Sequence, residues 1–143
     1  MSLIIGRDTG GLKHAWFEPE FDTNLGEYRA RSLTSNSAEN FTFQVPSDFN
    51  TLSKLVLIGS ANGTIVTQDI DLFSDYALVT ELFNTNSEAD TITTYSFTAN
   101  IFTEIDISGV YSVLAADHIC GLTVDHNAIG TTINYLGILM EYS

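Results

Sequence analysis

A chain of 143 residues, 44% hydrophobic and 16% charged, is long enough to close one domain around its own core and too apolar to stay disordered. The formal net charge is −13, and the five basic residues, Arg7, Lys13, Arg29, Arg31 and Lys54, all precede Leu55. So acidic a surface repels phosphate backbones and anionic lipid, which argues against nucleic acid and against a membrane as partners.

Residues 1–13 read as an N-terminal arm. Gly6, Gly10 and Gly11 interrupt it, and Arg7 and Lys13 make it locally basic. Such a segment either docks on a partner or is a frayed end or edge strand. Its apolar run is too short for a signal peptide, and no segment reaches the ~20 apolar residues of a membrane span.

Residues 14–143 read as one domain built of strands. His14–Phe17 is a short one, closed by Pro19. Glu27–Leu33 alternates weakly. Glu39–Val45 alternates cleanly, with Phe41, Phe43 and Val45 on one face and Asn40, Thr42 and Gln44 on the other. Pro46 ends it, because proline cannot donate to the ladder. Residues 47–50 read as a turn or one helical turn. Lys54–Ser60 carries the continuous apolar run of a strand buried on both faces. Asn62-Gly63 suits the positive φ values of a type I′ hairpin. The returning strand, Thr64–Phe73, is expected to set Val66, Ile70 and Leu72 against Ile65, Thr67, Asp69 and Asp71.

Ala77–Phe83 is apolar and extended, and polar Asn84–Thr94 reads as a long exposed loop. Tyr95–Ala99 and Ile101–Ile107 are further strands, the second placing Ile101, Ile105 and Ile107 together. A short helical turn follows near 108–116, capped by Ser108. Asp106 there is expected to accept backbone hydrogen bonds. Asp117–Asp125 and Thr132–Tyr142 close the chain, joined over 126–131 as a hairpin. The pattern is all-β: an antiparallel β-sandwich, jelly-roll-like, with about eight strands.

Catalytic signatures are absent. No G-x-S-x-G elbow, P-loop, H-E-x-x-H or C-x-x-C occurs. His118 and His126 would lie about 26 Å apart along one strand at ~3.3 Å per residue, too far to share a metal. They read, with His14, as surface or strand-end histidines. Cys120, inside Ile119-Cys120-Gly121-Leu122, reads as an inert buried thiol. The chain is not expected to be an enzyme. Asp69 and Asp71 share a strand face and Asp75 follows, so these three are the candidate Ca²⁺ ligands, set against a plain solvated acidic face. Trp16, Tyr76, Tyr95 and Tyr111 are candidate glycan contacts, set against ordinary core packing.

Several motifs occur in a suggestive order. Phe43-Gln44-Val45-Pro46-Ser47-Asp48-Phe49 precedes an apolar strand. Glu104-Ile105-Asp106-Ile107-Ser108 precedes a short helix with Leu114-Ala115-Ala116-Asp117. The chain closes on Tyr135-Leu136-Gly137-Ile138-Leu139-Met140-Glu141-Tyr142-Ser143. Residues 14–143 thus resemble the small jelly-roll structural proteins of tailed bacteriophage virions. The resemblance implies a non-enzymatic capsid decoration, cement or fibre protein at the virion surface. It also implies a homotrimer partnered by a major capsid or other virion protein, and no catalytic residues. Arg7 and Lys13 would belong to the docking arm. The alternative is a carbohydrate-binding sandwich module, serving host adsorption.

Overall fold

The computed structural model describes residues 3–5, 11–34, 36–91, 94–127 and 131–143. Its strands in chain order are β1 (Leu3–Ile5), β2 (Lys13–Phe17), β3 (Thr23–Leu25), β4 (Tyr28–Leu33), β5 (Ala38–Gln44), β6 (Leu52–Ala61), β7 (Ile65–Ala77), β8 (Asn86–Asp90), β9 (Thr94–Phe97), β10 (Thr103–Asp106), β11 (Ile119–His126) and β12 (Ile133–Tyr142). One 3₁₀ turn, Ser108–Val110, interrupts them. Among the described residues no helix is long and apolar enough to cross a membrane.

Every pairing is antiparallel, and the strands divide into two sheets. In the first, β12 is central. It pairs with β6 along one edge, and with β4 and then β2 along the other. β10 extends this sheet beyond β6 and β1 beyond β2, while β3 pairs with β4. In the second, β11 lies between β5 and β7, and β7 carries β8 and β9 on its far edge. The framework therefore runs β4-β12-β6-β10 over β5-β11-β7-β8. From β4 onward consecutive strands alternate between the sheets, except that β7, β8 and β9 share the second; this is the strand order of a jelly roll's double Greek key.

The inner faces interdigitate as alternation requires. Phe17 meets Phe43 at 5.2 Å, Phe41 meets Tyr135 at 6.0 Å, and Tyr111 lies against both Phe43 and Tyr76. Leu55, Leu57, Ile105, Ile133, Ile138 and Met140 complete the first sheet's inner face, and Ile70, Leu72, Cys120, Leu122 and Val124 the second's.

The structure corrects several expectations. Asn62-Gly63 joins β6 of one sheet to β7 of the other, so it is not a hairpin, and neither residue has positive φ. The tight hairpin is at Gly26-Glu27, where Leu25 pairs with Tyr28 and Gly26 has φ 56°. Positive φ at the first central residue alone is the II′ pattern. The connection after His126 likewise passes between sheets, because β11 and β12 do not pair.

Val66 lies outside, 80% exposed, because the β7–β9 register shifts between Ile65 and Gln68 and reverses the parity. Gln68 takes the buried place instead. Ile101 is also exposed, ahead of β10. Beyond Ala77 the chain turns rather than extends: Glu81 N–H bonds the Leu78 carbonyl, and Thr80 has φ 90°. That conformation is strained for a β-branched residue. Residues 86–90, expected in a loop, form β8. The helical turn spans only Ser108–Val110 and follows Ile107, with no side-chain cap from Ser108. As expected, Asp106 Oδ1 accepts the Ser108 N–H at 2.9 Å.

Candidate functional site

The two inner faces are sealed against each other, so function falls to the outer faces, which differ in chemistry. On the first sheet, Ala15 and Phe17 point into the core, as do Leu55 and Leu57, and Ile138 and Met140. Alternation therefore sends Trp16, Val56 and Leu139 outward. Register places Leu139 directly between Trp16 and Val56. Gly137 follows, and a Cβ there would stand 2.6 Å from both Trp16 Cζ2 and the Phe17 carbonyl oxygen. The indole thus lies over bare backbone. Val56 and Leu136 are buried yet stand apart from the core cluster. Tyr28 meets Phe102 edge-on at 5.2 Å, both about half exposed. Polar pairs border this apolar strip: His14 Nε2 with Glu141 Oε1 at 3.2 Å and the Lys54–Glu104 ion pair at 2.6 Å.

The second sheet's outer face is mainly polar, with Phe73, Ile119 and, at the start of β7, Val66 as its exposed apolar side chains. One row across it is Thr42–Gly121–Asp75–Ser87, and the next is Asn40–Thr123–Phe73–Ala89. They enclose an open depression of about 450 Å³. Thr123 Oγ1 donates to Asn40 Oδ1 at 2.6 Å. Phe73, 38% exposed, is the aromatic on this surface. Reading β7 by parity from buried Leu72 would have found it.

Asp125 and Asp71 face each other in the following row. Burial, then the charges of Asp69 and Asp125, raises the Asp71 carboxyl above the usual range. Asp69 accepts from Asn127 Nδ2 at 2.8 Å. Asp75 belongs to a different row, opposite Gly121, so the structure does not gather Asp69, Asp71 and Asp75 around one ion. Among the described residues no group of three or more His, Cys, Asp or Glu is arranged to hold a metal.

The aromatic candidates separate. Tyr76 and Tyr111 are core residues, 0% and 2% exposed, and are no surface for a sugar. Tyr95 is half-buried against the core, and Trp16 belongs to the apolar face of the first sheet. The Tyr76 hydroxyl donates to Glu88 and accepts the Val113 N–H at 3.2 Å, while Ser112 N–H also bonds Glu88. Burial acts to raise the Glu88 carboxyl, but these hydrogen bonds outweigh it and hold the group below its ordinary range. The trio clamps the 111–113 segment to β7 and β8.

His118, directly before β11, and His126, its last residue, stand at the two strand ends, but they are buried rather than at the surface. Val45 N–H bonds the His118 carbonyl, and His118 Nδ1 accepts the Ala115 N–H at 3.0 Å. His126 Nε2 meets the Tyr135 hydroxyl at 2.6 Å, and burial lowers its pKa to about 4. Burial pushes the Cys120 thiol up to about 12, which keeps it protonated and unreactive.

Arg31 reaches from β4 to Glu39 of β5 at 2.6 Å, joining the two sheets at their edge. Lys13 is held in β2, with Nζ 2.6 Å from Asp48. Arg7 lies outside the described residues, while Leu3–Ile5 pair with Ala15–Phe17 as an edge strand. No protein-family model, curated protein or solved structure matches the chain.

Proposed function

We propose that this chain is a non-enzymatic virion structural protein, a capsid decoration, cement or fibre component. It acts as a homotrimer, with the first sheet's outer face turned toward neighbouring copies. The observation that supports this reading is the contrast between the two outer faces. One carries the half-buried Trp16, Ile58 and Leu139, register neighbours across β2, β12 and β6, with the half-exposed Tyr28 and Phe102 beside them; the other carries Asp69, Asp71, Asp75 and Asp125. Contiguous apolar surface on a soluble domain marks a contact with another protein. The acidic face keeps assembled particles in solution. An ordered strip on a sheet, rather than on a loop, suits a symmetric contact between identical copies.

Light scattering on the purified chain tests the assembly. A trimer mass is expected, falling to the monomer for Trp16→Glu with unchanged circular dichroism. A monomer at every concentration for the native sequence counts against the reading. Mass spectrometry of density-banded particles tests the location, since a virion component must co-band in stoichiometric amount.

A further inference from the structure

We infer that the depression on the second sheet's outer face is a binding site for one neutral sugar unit of a glycan. The argument begins with Gly121. It sits in the middle of β11, where a glycine weakens a strand. Its φ lies outside the left-handed region, and a Cβ there would meet only the Asp75 carbonyl at 3.6 Å, an ordinary contact. Neither backbone conformation nor crowding calls for glycine. Gly59 and Gly137 differ, since a Cβ at either would press on Tyr135 or on Trp16 and Phe17. What glycine does at 121 is leave the floor of the depression open.

The walls around that floor have one consistent chemistry. Phe73 offers an aromatic face on which the C–H face of a pyranose can lie. Asn40, Thr42, Asp75, Ser87 and Thr123 surround it with amide, hydroxyl and carboxylate groups from β5, β11, β7 and β8. These are donors and acceptors suited to ring hydroxyls. The space, about 450 Å³, is of small-molecule size. Asp75 inside it, and Asp71 with Asp125 in an adjoining row, repel phosphate, sulfate and acidic sugars. The ligand is therefore an uncharged saccharide. The site lies on the face opposite the apolar strip, so trimer assembly leaves it open.

Calorimetric titration with maltose, cellobiose, lactose, mannobiose and diacetylchitobiose, with sialyllactose as the anionic comparison, tests the inference. At least one neutral disaccharide should bind saturably and sialyllactose should not. Phe73→Ala and Gly121→Val should each weaken binding about tenfold or more, the second by filling the floor. Gly121→Val should melt no lower than the native chain, because a β-branched residue suits a strand. Val66→Ser, at an exposed apolar position outside the depression, should bind as the native chain does. Binding of no neutral disaccharide, or full binding by a folded Gly121→Val protein, overturns the inference.

Discussion

His126 shows how one buried side chain gives this protein a pH dependence. The ring is closed into the sandwich beside Tyr135, and burial holds its pKa near 4 against an ordinary 6.5. Above pH 6.5 both folded and unfolded chains keep it neutral, so it adds nothing to the slope. As pH falls from 6.5 toward 4 the unfolded chain takes up a proton that the folded chain refuses. Stability should therefore drop across that window, by an amount on the order of 3 kcal/mol at its lower end. Asp71 acts with the opposite sign. Its carboxyl is raised by burial and by Asp69 and Asp125, so the strain of its charge is relieved as acid protonates it. Urea unfolding at pH 7 and pH 4.5 measures the sum, and His126→Gln should remove the fall while leaving the Asp71 contribution in place. An unchanged pH profile in His126→Gln would show that the imidazole does not govern it.

At the scale of elements, turns separate local from non-local information. Gly26 needs its positive φ, and an alanine there should cost about 1 kcal/mol of unfolding free energy. Gly63 has no positive φ, and a Cβ would meet Thr131 no closer than 3.5 Å, so Gly63→Ala should be neutral or slightly stabilising. Equal losses in chemical denaturation would refute the assignment of the hairpin to Gly26-Glu27.

The Asn62-Gly63 pair had the better local chemistry for a hairpin, yet the strands on either side belong to opposite sheets. Alternation in β5, the apolar run of β6 and the last two strands were legible, because each follows from which side of its own strand a residue occupies. β8 was not, since Asn86–Asp90 holds no large apolar residue and its strand character comes from pairing with β7. Leu78, Val79, Leu82 and Phe83 misled in the other direction, as an apolar stretch that stays exposed. The depression was partly legible. Phe73 follows from parity with Leu72, whereas Gly121 gains meaning only when register sets Thr42 and Asp75 beside it.

For the whole molecule, the distribution of charge decides how copies can meet. A net charge of −13 makes any encounter between them repulsive at long range. A contact through the apolar strip must overcome that repulsion, and salt weakens repulsion without weakening apolar burial. The screening length falls from about 30 Å at 10 mM salt to about 8 Å at 150 mM. Dissociation of the proposed trimer should therefore need a lower protein concentration at the higher salt, as sedimentation equilibrium would measure.

A contact made instead by exchanging the bordering pairs His14–Glu141 and Lys54–Glu104 between copies would show the reverse, since salt screens attraction equally. Two substitutions sharpen the distinction. Leu139→Lys puts a charge in the strip and should dissociate the trimer at any salt, even though it lowers the net negative charge. Asp125→Asn removes one negative charge from the opposite face and should leave the mass unchanged while reducing the salt dependence. Dissociation by rising salt would place the contact on the charged border and remove the apolar strip from the assembly.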